Sequence, residues 1–211
     1  HYDSTAEHFN APAEQALADE VGAIGVVGTG QTGANVLAAL EQNGVDPLRT
    51  PVFVSDGLRS DDLGTMIDPR RPAASAGIQG VSPMAAPFLS SFEAAFAVSS
   101  PGTPVGYASY AYDCVNLMAL AAVAAGSDDG DAIQAQLAAV SSGGSRCEGF
   151  SACASQLRRG RNIDLEGASG DLDLQDDGDV ETAWYDLFTF DADGHDVTQR
   201  ALVAQADAAA S

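Results

Sequence analysis

Between Ala23 and Val98 the chain alternates short apolar runs with helical patterns, and this rhythm restricts the fold more than any other feature. Ala23–Val27, Pro51–Ser55 and Gly77–Val81 have the length and composition of buried strands. Between the first two, Thr32–Asn43 places Val36, Leu37 and Leu40 at helical spacing and stops at Gly44. Pro12–Val21 is a helical pattern, Leu58–Met66 a short helix or turn, and Pro87–Val98 a helix whose Phe88, Phe92 and Phe96 recur every four residues as core candidates. Strands separated by helices pair in parallel, because the crossover returns each strand in the same direction, and the crossovers cover both sheet faces. The expected class is therefore α/β with a parallel sheet.

The second half is organised differently. Ser99–Pro104 is rich in Ser, Pro and Gly and marks a hinge crossing. Helices are predicted over Tyr107–Ala125 and Asp131–Val140, with Asp129 or Asp131 placed to cap the second. The apolar run Val115–Ala125 is too short to span a bilayer and suits a packed helix. A short helix follows around Cys147–Cys153, then strands over 172–174 and 184–190, and an Ala-rich terminal helix over Thr198–Ala209. With 211 residues, the chain can bury one large core or one and a half small ones.

Acidic residues outnumber basic ones 30 to 9, every basic residue is arginine, and the net charge is -21. Such a chain repels phosphate backbones and carries no basic stripe interleaved with aromatics, which excludes nucleic acid as a partner. Cys147 and Cys153 are either a disulfide closing a local loop, worth ~2–3 kcal/mol, or two buried thiols. With no Cys-x-x-Cys present, the pair suits an oxidising compartment better than a zinc site. The opening residues lack the basic-then-apolar pattern of an export leader, so location is argued from the cysteines.

Gly28-Thr29-Gly30-Gln31-Thr32-Gly33 satisfies G-x-G-x-x-G between a strand and a helix, so a nucleotide-binding enzyme domain is the alternative reading. Asp56 stands 28 positions beyond Gly28, where about 20 is usual. Lysine is absent, and His1, His8 and His195 lie in termini or a polar turn, so no catalytic base is in place. Ser169 lacks the nucleophile-elbow pattern, and aligning Asp173, Gln175 and Asp177 to a calcium loop puts Trp184 where a bidentate Glu must sit. No enzyme, metal or cofactor follows from these residues.

The order of VVGTGQTGANVLAALEQNG, PVFVSDG, the Tyr112-Asp113 helix, Gly167–Gln175 and Trp184–Phe190 resembles the substrate-binding proteins of bacterial branched-chain amino-acid ABC transporters, the type I periplasmic-binding fold. Members run to roughly twice this length, so the resemblance implies a carboxyl-terminal portion. Its expected parts are a three-layer parallel-sheet lobe over residues 1–100, the returning helical part of the other lobe over 104–180, and a strand crossing back with a tail over 184–211. It further implies an extracytoplasmic protein, periplasmic or lipid-anchored, that binds a small polar solute such as an amino acid or amide. The implied partners are an ABC transporter permease and the missing amino-terminal portion; a sensory domain of the same fold is the other alternative.

Carried over by position, Thr29 replaces an often aromatic ligand contact and Asp56 matches the acid that holds the ligand's ammonium. Gln31 is added as a donor or acceptor beside Thr29, and Tyr110 as a ligand neighbour near the crossing. The bland reading of Asp56 is a turn and helix cap, and that of Gln31 and Thr32 a helix-start cap. Tyr112-Asp113 is expected to be structural, with the aspartate capping or bridging.

Overall fold

A computed structural model of the chain describes residues 9–19, 21–86, 90–101, 107–175 and 177–205. It divides into two compact units, one of residues 1–83 and 185–202, the other of 84–184 and 203–211. The division falls after Pro83, upstream of the Ser99–Pro104 stretch that composition offers as a hinge.

In the first unit the chain runs α1 (Asn10–Ala16), β1 (Ile24–Val26), α2 (Gly30–Gln42), β2 (Val52–Ser55), a single 3-10 turn (Asp56–Leu58), α3 (Leu63–Ile67), a second 3-10 turn (Pro72–Ser75) and β3 (Gln79–Pro83). It later contributes most of β6 (Thr182–Phe190) and β7 (Asp196–Gln205). The sheet order is β1-β2-β3-β6-β7. The first three strands are parallel, with Ile24 opposite Val52 and Val54 opposite Gly80, while β6 runs antiparallel to β3 with Ser82 opposite Asp186.

Alternation along β2 and β3 sends Val52, Val54 and Gly80 to one face. There Val52, Val54, Phe188 and Phe190 pack with Leu37 and Leu40 of α2 and with Leu58, Leu63 and Ile67. The expected cover on both faces is found on one: Phe53 and Val81, pointing the other way, are each 46% exposed. The predicted terminal helix over Thr198–Ala209 is instead strand β7 through Gln205, and residues 206–211 lie outside the described residues. Alanine favours a helix locally, but the Asp191–His195 turn, closed by the Asp191 amide to the His195 carbonyl (2.9 Å), returns the chain alongside β6.

The second unit holds α4 (Ser90–Ser99), α5 (Ala108–Ala125), α6 (Gly130–Gln134), α7 (Leu137–Ser141), β4 (Ser145–Glu148), α8 (Gly149–Leu157) and β5 (Ile163–Glu166). Leu120, Ala121, Val140, Cys153, Ile163 and Leu165 form its core. β4 and β5 pair in parallel with Cys147 opposite Leu165, a sheet that sequence reading missed. Its strands are only four residues each, too short to show a period. The predicted 172–174 strand is reduced to isolated bridges, Glu166 with Asp171 and Leu174 with Val180.

Of the two readings of the cysteines, the disulfide is the one found: Cys147 and Cys153 are bonded across the turn from β4 into α8, with Cα atoms 5.4 Å apart. Asp129 caps α6, accepting from the Ala132 amide at 3.2 Å. Helix α5 turns Asp113, Asn116, Leu120 and Ala121 inward while Cys114, Val115 and Met118 stay exposed. Its 18 residues are long and apolar enough to cross a membrane by length and composition, yet its inward side is packed. Phe92 and Phe96 are half-buried rather than core, stacked at 5.8 Å, and Phe88 lies outside the described residues.

Burial raises the pKa of Glu166 above its usual 4.5, with Asp171 adding to the effect and Arg146, 3.0 Å away, opposing it. A carboxyl with a raised folded pKa stabilises fully below its unfolded value and loses that contribution as pH rises through the folded one. Glu166→Gln is thus expected to raise the thermal midpoint at pH 7, with the gain vanishing below the ordinary carboxylate range. Scanning calorimetry at both pH values checks this; a loss at pH 7 would count against it.

Candidate ligand-binding site

Parallel strands β1 and β2 deliver their carboxyl-terminal ends side by side, and the two loops that follow share one concavity of about 370 Å3. Its walls come from Val27–Thr29, Thr32 and Ser55–Gly57. This is where open α/β sheets bind ligands, because loops diverge there above the strand ends. The volume falls within the range of small-molecule sites.

Two residues lock the loops together. Ser55 Oγ accepts from the Gly28 N–H at 3.2 Å and donates to the Gly28 carbonyl at 3.0 Å. At Gly57 an added Cβ would lie 2.5 Å from Thr29 Cγ2 and 2.8 Å from the Gly28 carbonyl oxygen, so only glycine permits this approach. Thr29 is the extended residue before α2, and its hydroxyl makes no capping bond. Asp56 opens the 3-10 turn, whose Arg59 amide donates to the Asp56 carbonyl at 2.9 Å.

Of the four ligand candidates, the fold brings Thr29 and Asp56 together. Gln31 is turned away from this concavity, its Nε2 donating to Asn35 Oδ1 at 2.9 Å and to the Met66 carbonyl at 3.0 Å. Tyr110 belongs to the second unit, on α5, with its ring 6.0 Å from that of Tyr107. The third fingerprint glycine, Gly33, has a packing role: a Cβ there would run into the Leu58 side chain. The second unit has a larger concavity, about 690 Å3, bordered by Phe92, Phe96, Tyr112, Glu148 and Glu166.

Sequence reading missed Arg59. Its Nε lies 2.6 Å from Asp196 Oδ2, and its Nη1 lies 2.7 Å from both Asp186 Oδ2 and Ser82 Oγ. The guanidinium also sits 4.8 Å above the Phe188 ring. Burial works against its charge, but the bonds to Asp196 and Asp186 outweigh that and raise its pKa above the usual value. No motif surrounds Arg59, and its partners are more than twenty residues away.

Residues 5–193 match the family described as the receptor family ligand binding region. The chain belongs to this family. No curated protein matches the sequence. Among solved structures, the branched-chain amino acid transporter substrate binding protein LivJ from Streptococcus pneumoniae, in complex with isoleucine, is 17% identical. The match covers 97% of this chain and 51% of LivJ, with a TM-score of 0.65. The leucine binding protein LivK from Thermotoga maritima is 16% identical over 95% of this chain and 50% of its own, with a TM-score of 0.69. The protein Rp1789 from Rhodopseudomonas palustris is 15% identical over 94% and 54%, with a TM-score of 0.58. These likenesses establish the type I periplasmic-binding fold, and the chain spans about half the length of the solved proteins it matches.

Proposed function

We propose that this chain forms one wall, and part of the other, of an extracytoplasmic solute-binding protein serving an ABC importer. The ligand is a small zwitterion such as a branched-chain amino acid or an amide, as the bound isoleucine of LivJ suggests. One observation carries the reading: Thr29 and Asp56, separated by 27 positions in sequence, meet in a single concavity at the strand ends of a ligand-binding family. Asp56 supplies the charge complement of an ammonium. The first amides of α2, which have no carbonyl four residues back, favour a carboxylate. Thr29 offers a hydroxyl and little stacking area, which suits a compact ligand.

In this reading the cleft is completed by a further segment of the same polypeptide, and a membrane permease receives the solute. The 211 residues alone therefore leave part of the ligand's polar surface unpaired and bind weakly. Isothermal titration of the isolated chain with L-leucine, L-isoleucine and glutamine is expected to give no micromolar binding, and a micromolar constant would overturn that expectation. In the chain extended to the full length of the fold, Asp56→Asn is expected to weaken amino-acid binding by about 30-fold or more, as truncating one side of a buried charge pair does. Unchanged affinity would remove Asp56 from the site.

A further inference from the structure

The chain passes between its two units three times, after Pro83, before Tyr185 and after Leu202. Each of the three connecting segments carries a partner of Arg59 within the first unit. Ser82, the residue before Pro83, accepts from Nη1 at 2.7 Å. Asp186, the residue after Tyr185, receives Nη1 at 2.7 Å. Asp196, on the strand that leaves the unit after Leu202, receives Nε at 2.6 Å. Thr198 of the same strand donates to Asp186 Oδ2 at 2.6 Å, and Ser82 pairs opposite Asp186 across β3 and β6, so each segment is also joined to the Asp186 strand.

Arg59 is also the residue that closes the Asp56 turn, through its own amide. Only two residues, Gly57 and Leu58, separate the candidate ligand carboxylate from a planar fork anchored on all three connections. A guanidinium fits this task because its donors point in fixed, divergent directions, whereas an ammonium is one flexible point.

We propose that Arg59 is a positioning residue that holds the Asp56 loop in register with the three strands leading out of the first unit. The proposal rests on Asp56 as the ligand carboxylate for its functional meaning, but its physical content is a restraint on the loop that exists without ligand.

The test is amide hydrogen exchange, measured by NMR on the ligand-free 211-residue chain, for wild type and Arg59→Lys. In the substituted chain, exchange at the amide of position 59, which bonds the Asp56 carbonyl, and at Gly33, which bonds the Thr29 carbonyl, is expected to rise at least tenfold. Leu40, in the same unit but hydrogen-bonded to no member of the network, is expected to change less than threefold. A uniform rise at all three sites would mean Arg59 only stabilises the unit, and no rise would mean it restrains nothing; either overturns the proposal. If Arg59→Lys does not fold, Asp196→Asn is measured in the same way, with at least a threefold local rise expected and the same two results overturning it. Should Asp56→Asn leave ligand affinity intact in the full-length protein, the ligand assignment fails while the exchange result stands by itself.

Discussion

Arg59→Met is expected to destabilise the first unit by about 3–5 kcal/mol, the characteristic cost of removing one member of a buried ion pair. Asp186 is 3% exposed, and its Oδ1 has no hydrogen-bond partner among the described residues. Its charge is therefore balanced through Oδ2 alone, by Arg59 and the Thr198 hydroxyl. Methionine preserves the packing on Phe188 but leaves a buried carboxylate without its cationic partner, which is costly in a low-dielectric interior. In urea, where ~1–3 kcal/mol per molar is usual, the midpoint should fall by more than about 1 M. Adding Asp186→Asn should restore part of that loss, since the stranded charge is gone. A midpoint unchanged by Arg59→Met would falsify this account of the network.

Asp113→Ala should have the second largest effect, about 3 kcal/mol or more, in the other unit. Asp113 is 4% exposed and receives three hydrogen bonds: the Ala168 amide at 2.7 Å on Oδ1, and the Ser169 amide and hydroxyl, both at 2.6 Å, on Oδ2. These pin the Gly167–Gly170 loop to α5, and Gly167 is as close as it is because a Cβ there would lie 2.6 Å from Oδ2. All three partners donate, so an amide cannot replace the carboxylate: one end of asparagine would present N–H groups to N–H groups. Asp113→Asn is accordingly expected to lose nearly as much as Asp113→Ala in thermal unfolding. An asparagine variant as stable as the parent would show that shape, not charge, holds the loop.

The parallel α/β core was legible because its signals are local. Val36, Leu37 and Leu40 lie on one helical stripe, and short apolar runs bounded by Pro and Gly mark β1, β2 and β3. The bridging role of Asp113 was foreseen from the Tyr-Asp pair, though not its partners in a loop 55 and 56 positions away. The terminal helix failed because alanine propensity is worth tenths of a kcal/mol per residue, less than a row of strand hydrogen bonds beside β6. The bond from Gln31 to the Met66 carbonyl was not legible either: a position at a helix start says nothing about an acceptor that only the placement of α3 supplies.

The sequence by itself determined the fold class, the family resemblance and the meeting of Thr29 with Asp56 at adjacent strand ends. The fold class and this meeting follow from periodicity and strand order, which are properties of contiguous residues, and the resemblance from short motifs in their order along the chain. Only the tertiary structure decided that Cys147 and Cys153 are bonded, that Gln31 is tied to the Met66 carbonyl, and that Arg59 gathers Ser82, Asp186 and Asp196. A charged side chain has many acids to choose from in a chain with 30 of them, and which it meets depends on register across the sheet. Register is set by the pairing of strands more than a hundred residues apart, and no local pattern encodes it.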